Sequence, residues 1–126
     1  MSIEDICKKY GVKIEYFDND LWNRNGIYID EIKVVFVSKN LAPEKQKQVI
    51  LHELGHIDHT EAEYRNAKIK CENEADSNMI HHLLMDALGE LDDPKDFDYL
   101  KFMEYYNLKT TTDEVMVMEE YQALLK

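Results

Sequence analysis

His52-Glu53-Leu54-Gly55-His56 sets two imidazoles four residues apart, with a carboxylate between them. On an α-helix that spacing projects both rings from one side, about 6 Å apart along the axis. Two imidazoles so placed can grip one ion at Zn–N distances near ~2.0 Å. Glu53, the next residue round the helix, falls beside the ion rather than on it. From there its carboxylate can take a proton from a water that the metal activates. The chemistry predicted is metal-assisted hydrolysis, with His52 and His56 as ligands and Glu53 as general base.

The surrounding residues argue that this segment is buried. Ile50, Leu54 and Ile57 form an apolar stripe at helical spacing, widened by Val49 and Leu51. Polar groups on a buried helix need partners, and a metal supplies them. Gly55 inside the pattern signals close packing, since a helical Gly costs about 1 kcal/mol relative to Ala.

A catalytic zinc site takes three protein ligands and keeps one position open. The third is expected from the next helix, which opens Cys71-Glu72-Asn73-Glu74-Ala75-Asp76. Glu72 and Asp76 are four apart and share a face with Ala75, Met79 and Leu83. Glu72 is therefore the candidate third ligand. Asp76, one turn on, can accept the free ring N–H of a ligand histidine and fix its tautomer.

Other groups are assigned duller roles. Glu74 falls about 200° from Glu72 on a helical wheel and is expected to be a solvated charge. Cys71 lies about 100° from Glu72 and is expected to pack. His59 is placed to line the cleft without ligating. His81 and His82 lie more than two turns beyond the site and read as surface or packing residues. Tyr64, Arg65 and His59 remain alternatives for the donor that a hydrolytic oxyanion requires. The two-nitrogen, one-oxygen donor set fits Zn2+ best.

The elements that must position these residues fall into two halves. Ser2 can cap a short helix carrying Ile3, Ile6 and Tyr10 at helical spacing, with Gly11 as its stop. Val12, Ile14 and Tyr16 then alternate with Lys13 and Glu15 as a strand. Residues 26–29 and 32–37 read as two more strands joined by a tight turn at Asp30-Glu31, giving a small antiparallel sheet. After Pro43 the pattern is helical: residues 43–60, residues 68–91, a third helix reaching about Leu108, and a last one capped near Thr110. The class is α+β, with one domain over residues 1–126.

The bulk properties narrow the partners. Of 126 residues, 26 are Asp or Glu and 15 are Lys or Arg, a formal net charge of -11. Such a chain is repelled by a phosphate backbone, which argues against direct nucleic-acid binding. Residues 1–9 are polar and carry Glu4 and Asp5, unlike a secretory signal. No apolar run reaches the ~20 residues of a membrane span. Cys7 and Cys71 match no redox or zinc-knuckle spacing and are expected as free buried thiols. Together these predict a cytoplasmic location.

His52-Glu53-Leu54-Gly55-His56 followed by Glu72-x-x-Ala75-Asp76 resembles the ImmA/IrrE family of zinc metallopeptidases. The likeness covers roughly residues 42–84. It implies a compact zincin-like core, with a short N-terminal helix and small sheet against a mainly helical C-terminal part. It also implies His52, His56 and Glu72 as zinc ligands, with Glu53 as general base. Members of that family often sit beside a helix-turn-helix repressor of phage or mobile-element type, which they cleave or relieve. The competing expectation is a non-catalytic module, in which structural zinc supports a surface that sequesters a regulator or toxin partner. Retention of Glu53 argues for the enzyme, because a structural site has no use for a general base.

Overall fold

The computed structural model describes residues 2–125. The two ends of the 1–126 domain reading, Met1 and Lys126, lie outside the described residues. Helix α1 (Ile3–Lys9) opens as expected, with the Ser2 hydroxyl accepting from the Asp5 N–H at 3.1 Å. It closes at Gly11, whose φ of +69° favours glycine. Ile6 and Cys7 face inward and are buried.

Three strands follow: β1 (Lys13–Phe17), β2 (Gly26–Ile29) and β3 (Val34–Ser38). Their order is β1-β3-β2. The β2–β3 pair is antiparallel, but β1 runs parallel to β3, with Lys13 opposite Val34 and Phe17 opposite Ser38. The sheet is therefore mixed rather than antiparallel throughout. Alternation reveals which face of a strand is buried and says nothing about its direction, so the sequence carried no signal for this. The hairpin turn also differs from the expected tight Asp30-Glu31 pair. It spans residues 30–33, with Lys33 at φ +55° and its N–H on the Asp30 carbonyl. Ile32 is left out of the strand and exposed.

Helix α2 (Pro43–Leu54) places Pro43 in its first turn, where the missing N–H costs nothing. Its last residue is Leu54, six residues before the expected end near Thr60, and Gly55 is its cap. Beyond it the N–H groups of His56 and Ile57 bond three residues back, to Glu53 and Leu54. Contact with helix α4 (Lys68–Gly89) requires a glycine at this cap: a Cβ on Gly55 would stand 2.6 Å from the Ala75 Cα. The apolar stripe continues through Ile57, which is why the helix seemed longer.

A short helix α3 (Glu61–Asn66) then appears that periodicity did not predict. Thr60 caps it by accepting from the Glu63 N–H at 3.0 Å. The Thr-x-x-Glu signature was present in the sequence. After α4, a 3-10 turn (Pro94–Asp96) leads to α5 (Tyr99–Tyr105), capped by Asp98, and α6 (Thr111–Leu124), capped by Thr110.

The core lies between α2, α4, α6 and one face of the sheet. Val35, Val37, Ile50, Leu51, Ile80, Leu83, Leu84 and Val117 are essentially inaccessible to solvent. Helices α2 and α4 pack antiparallel: His52 meets Asp76, the Leu51 carbonyl accepts from Asn78, and Lys47 pairs with Asp86. That register brings the last turn of α2 against the first turns of α4. Cys7 and Cys71 are free and buried. Among the described residues no helix is long and apolar enough to cross a membrane.

Candidate metal centre

His52 and Glu53 occupy the last turn of α2, and His56 occupies the tighter turn beyond it. Glu72 and Asp76 project from successive turns of α4. The His52 Nε2 and His56 Nε2 face each other at 3.2 Å. Glu72 reaches both, with Oε2 at 3.0 Å from His52 Nε2 and Oε1 at 3.4 Å from His56 Nε2. His52, His56 and Glu72 thus offer one donor atom each, all within 4.8 Å of one another. Two imidazole lone pairs and a carboxylate converging on one point are a donor set that a divalent cation fits.

The outer nitrogen of His52 is held as well. Its Nδ1 lies 2.7 Å from Asp76 Oδ1. An ionised carboxylate only accepts, so Nδ1 carries the hydrogen and Nε2 is left bare in the neutral ring. Burial pulls the His52 imidazolium pKa down. The bond and charge of Asp76, with Glu53 and Glu72, outweigh it and the net direction is up. His56 goes the other way, lowered by burial and then by neighbouring His52. A metal at this position competes with a proton for His52.

Glu53 stands beside this set and not in it. The Tyr28 N–H on strand β2 donates to its Oε2 at 3.2 Å. Burial raises the Glu53 carboxyl above its usual range, opposed by His52, by the Tyr28 N–H and by Arg24. A carboxylate with a raised pKa is a better proton acceptor near neutrality. Gly26 lets β2 come this close: a Cβ there would meet Val49 Cγ1 at 2.6 Å and the Phe36 carbonyl at 2.7 Å. The Tyr28 contribution could not be read from sequence, because it is made by a backbone amide and carries no residue-type signal.

Two clefts meet at Arg24, His52 and Glu53. One runs past Gly26, Gln48 and Asp76, and the other past Tyr28, His56 and Tyr64. Arg24 was not singled out from sequence. It comes from the irregular segment between β1 and β2, with its guanidinium 5.5 Å from the Trp22 ring centroid. Of the three candidate oxyanion donors, Tyr64 and His59 line the second cleft and Arg65 does not. The Tyr64 hydroxyl donates to Glu72 Oε1 at 2.6 Å, and its ring lies edge-on to His56. That bond to Glu72, with burial, pushes the phenol up to about 12.

His59 Nδ1 lies 3.0 Å from His56 Nδ1, and its Nε2 lies 2.7 Å from Glu74 Oε2. Glu74 does point away from Glu72 and is half exposed, but it is bonded to His59 rather than only solvated. That bond, ahead of burial, holds its carboxyl below the usual range. His81 lies apart from the centre, bonded to Glu120, and His82 is half-buried.

Compared with known families, residues 7–118 match the model of the IrrE N-terminal-like domain, a peptidase family. No curated protein and no solved structure gives a significant match.

Proposed function

The chain belongs to the IrrE N-terminal-like peptidase family, and from that premise we propose that it is a zinc-dependent endopeptidase acting on a helix-turn-helix repressor. The observation that carries this is the division of labour around the centre. Three donors converge on one point while a fourth polar group, Glu53, is seated beside them on a backbone amide. A purely structural site would have no place for that carboxylate.

In this proposal His52 Nε2, His56 Nε2 and Glu72 hold the ion. Zinc bound there supplies Lewis-acid polarisation of a water and of the scissile carbonyl. Tyr28 engages Glu53 Oε2, so Oε1 is the atom left to take the water's proton. The same carboxyl then returns that proton to the leaving amine nitrogen. Tyr64 is favoured as the donor to the developing oxyanion, because its hydroxyl is already at the centre and keeps its proton until about pH 12. The Tyr64 hydroxyl must leave Glu72 to make that bond, a rotation of one O–H, whereas His59 has both ring nitrogens engaged and would have to give up a buried bond. Asp76 keeps His52 in the tautomer that presents Nε2.

The repressor as substrate rests on the family resemblance and on charge. A chain with net charge -11 complements a basic DNA-binding protein and is steered toward it. The test is Glu53→Gln, assayed against a purified helix-turn-helix repressor from the same gene neighbourhood. Zinc content should stay unchanged while the cleavage rate falls by roughly 10²–10⁴-fold. Undiminished cleavage by the variant would sink the mechanism. An intact repressor in a stable stoichiometric complex with the wild type would support sequestration instead.

A further inference from the structure

We infer that Glu74 and His59 form a relay that fixes which ring nitrogen of His56 faces the metal position. This is a positioning role, and it rests on the metal site proposed above. The relay has two links, His59 Nε2 to Glu74 Oε2 at 2.7 Å and His59 Nδ1 to His56 Nδ1 at 3.0 Å.

Hydrogen accounting sets the direction. A carboxylate only accepts, so the hydrogen in the first link sits on His59 Nε2. A neutral imidazole protonated there has a bare Nδ1, which accepts. The hydrogen in the second link therefore belongs to His56 Nδ1. His56 Nε2 is then left with its lone pair, and Nε2 is the atom that faces His52 Nε2 and Glu72. His52 reaches the same state through Asp76 directly. Both ligand rings thus end in a carboxylate, one by a single bond and the other through an intervening imidazole.

Burial supports the assignment. The His59 side chain is 8% exposed, against 22% for His52 and 14% for His56. A ring that buried needs both nitrogens satisfied, and here both are. It also has no nitrogen left over to act as a fourth ligand. The relay is held from both ends. The His59 N–H bonds the His56 carbonyl at 2.9 Å, and Lys70 approaches the second Glu74 oxygen at 3.8 Å. Glu74 is thus spent on His59 and is not one of the three converging donors.

Two measurements on the 126-residue chain test this. Nitrogen-15 NMR of the histidine rings, without added metal, reads the tautomers. The wild type should show His56 protonated at Nδ1 and His59 at Nε2. In His59→Ala, His56 should revert toward the Nε2-protonated form that a free histidine side chain prefers. Zinc affinity, measured by chelator competition, should fall by about 10–100-fold in His59→Ala. His59→Gln keeps the bulk and offers both a donor and an acceptor, so it should recover part of the loss. Glu74→Ala should lose less than His59→Ala, because a water can take its place at that half-exposed end. The relay is overturned if wild-type His56 is protonated at Nε2, or if His59→Ala binds zinc within about twofold of the wild type. If the wild type binds no zinc, the metal reading fails, and the tautomer measurement still decides the relay by itself.

Discussion

Helices α2 and α4 lie against each other along their length, yet their two ends are built on opposite principles. At one end the facing side chains are Ile50, Ile80, Leu83 and Leu84, closed to solvent and backed by Val35 and Val117. At the other they are His52, Glu72 and Asp76, each 22–35% exposed and bonded to one another. The apolar end gains from every buried methylene, about 0.8 kcal/mol each. The polar end gains little, because half-exposed ion pairs contribute small net stability. On α4 the two sets occupy different turns, whereas on α2 Ile50 and His52 stand two residues apart and occupy different sides of one turn. At the polar end Gly55, the cap of α2, lies so near the Ala75 backbone that no side chain fits between them.

The comparison can be broken from the apolar side first. Leu83→Ala removes a fully buried side chain and should cost about 2–5 kcal/mol of unfolding free energy. Denaturant titration reads that loss, while zinc affinity measured well below the melting temperature should hardly move. A large loss of zinc affinity in this variant would show that the two ends are not separable. Gly55→Ala works from the contact itself. Its methyl group would meet the Ala75 backbone at 2.6 Å, which no rotamer change relieves. Overpacking of this kind should cost about 1–3 kcal/mol. Unlike Leu83→Ala it should also weaken zinc binding, because it pushes Glu72 and Asp76 away from the histidines. Equal zinc affinity in the variant would refute that coupling.

The smallest effect sharpens the contrast by pH. Burial, with nearby Glu4, pushes the Cys7 thiol up to about 11 from its ordinary 9.0. The folded chain thus holds this proton where the unfolded chain has lost it. The contribution is fully present below pH 9 and is lost as pH rises through 11. Near pH 9.5 the loss should be under about 1 kcal/mol. Denaturant midpoints compared between wild type and Cys7→Ala across pH 8–10 should converge as pH rises. A constant difference would mean that Cys7 is not protected in this way.

Much of the centre was legible in the sequence because it depends on spacing. The four-residue intervals His52–His56 and Glu72–Asp76 each define a face, and the structure brings those faces together. Element types followed for the same reason: α1, β2, α4 and α6 lie where capping and periodicity placed them. The rest depended on partners from elsewhere in the chain. Position 55 has no room for a side chain because Ala75 approaches it, 20 residues further on. Glu74 seemed solvated because a helical wheel knows nothing of His59 on another segment. Tyr28 reaches Glu53 with a main-chain amide that every residue but proline possesses.

The mixed sheet bears on how the centre assembles. Strand β2 meets β3 across only the short turn at residues 30–33, whereas β1 meets β3 across everything from residue 14 to residue 33. Loop-closure entropy grows with the logarithm of loop length, so the β1 pairing costs roughly 1 kcal/mol more to close. Contact order thus favours the β2–β3 hairpin as the earlier unit. The strand that seats Glu53 belongs to that local hairpin, whose own pairing needs neither α1 nor β1.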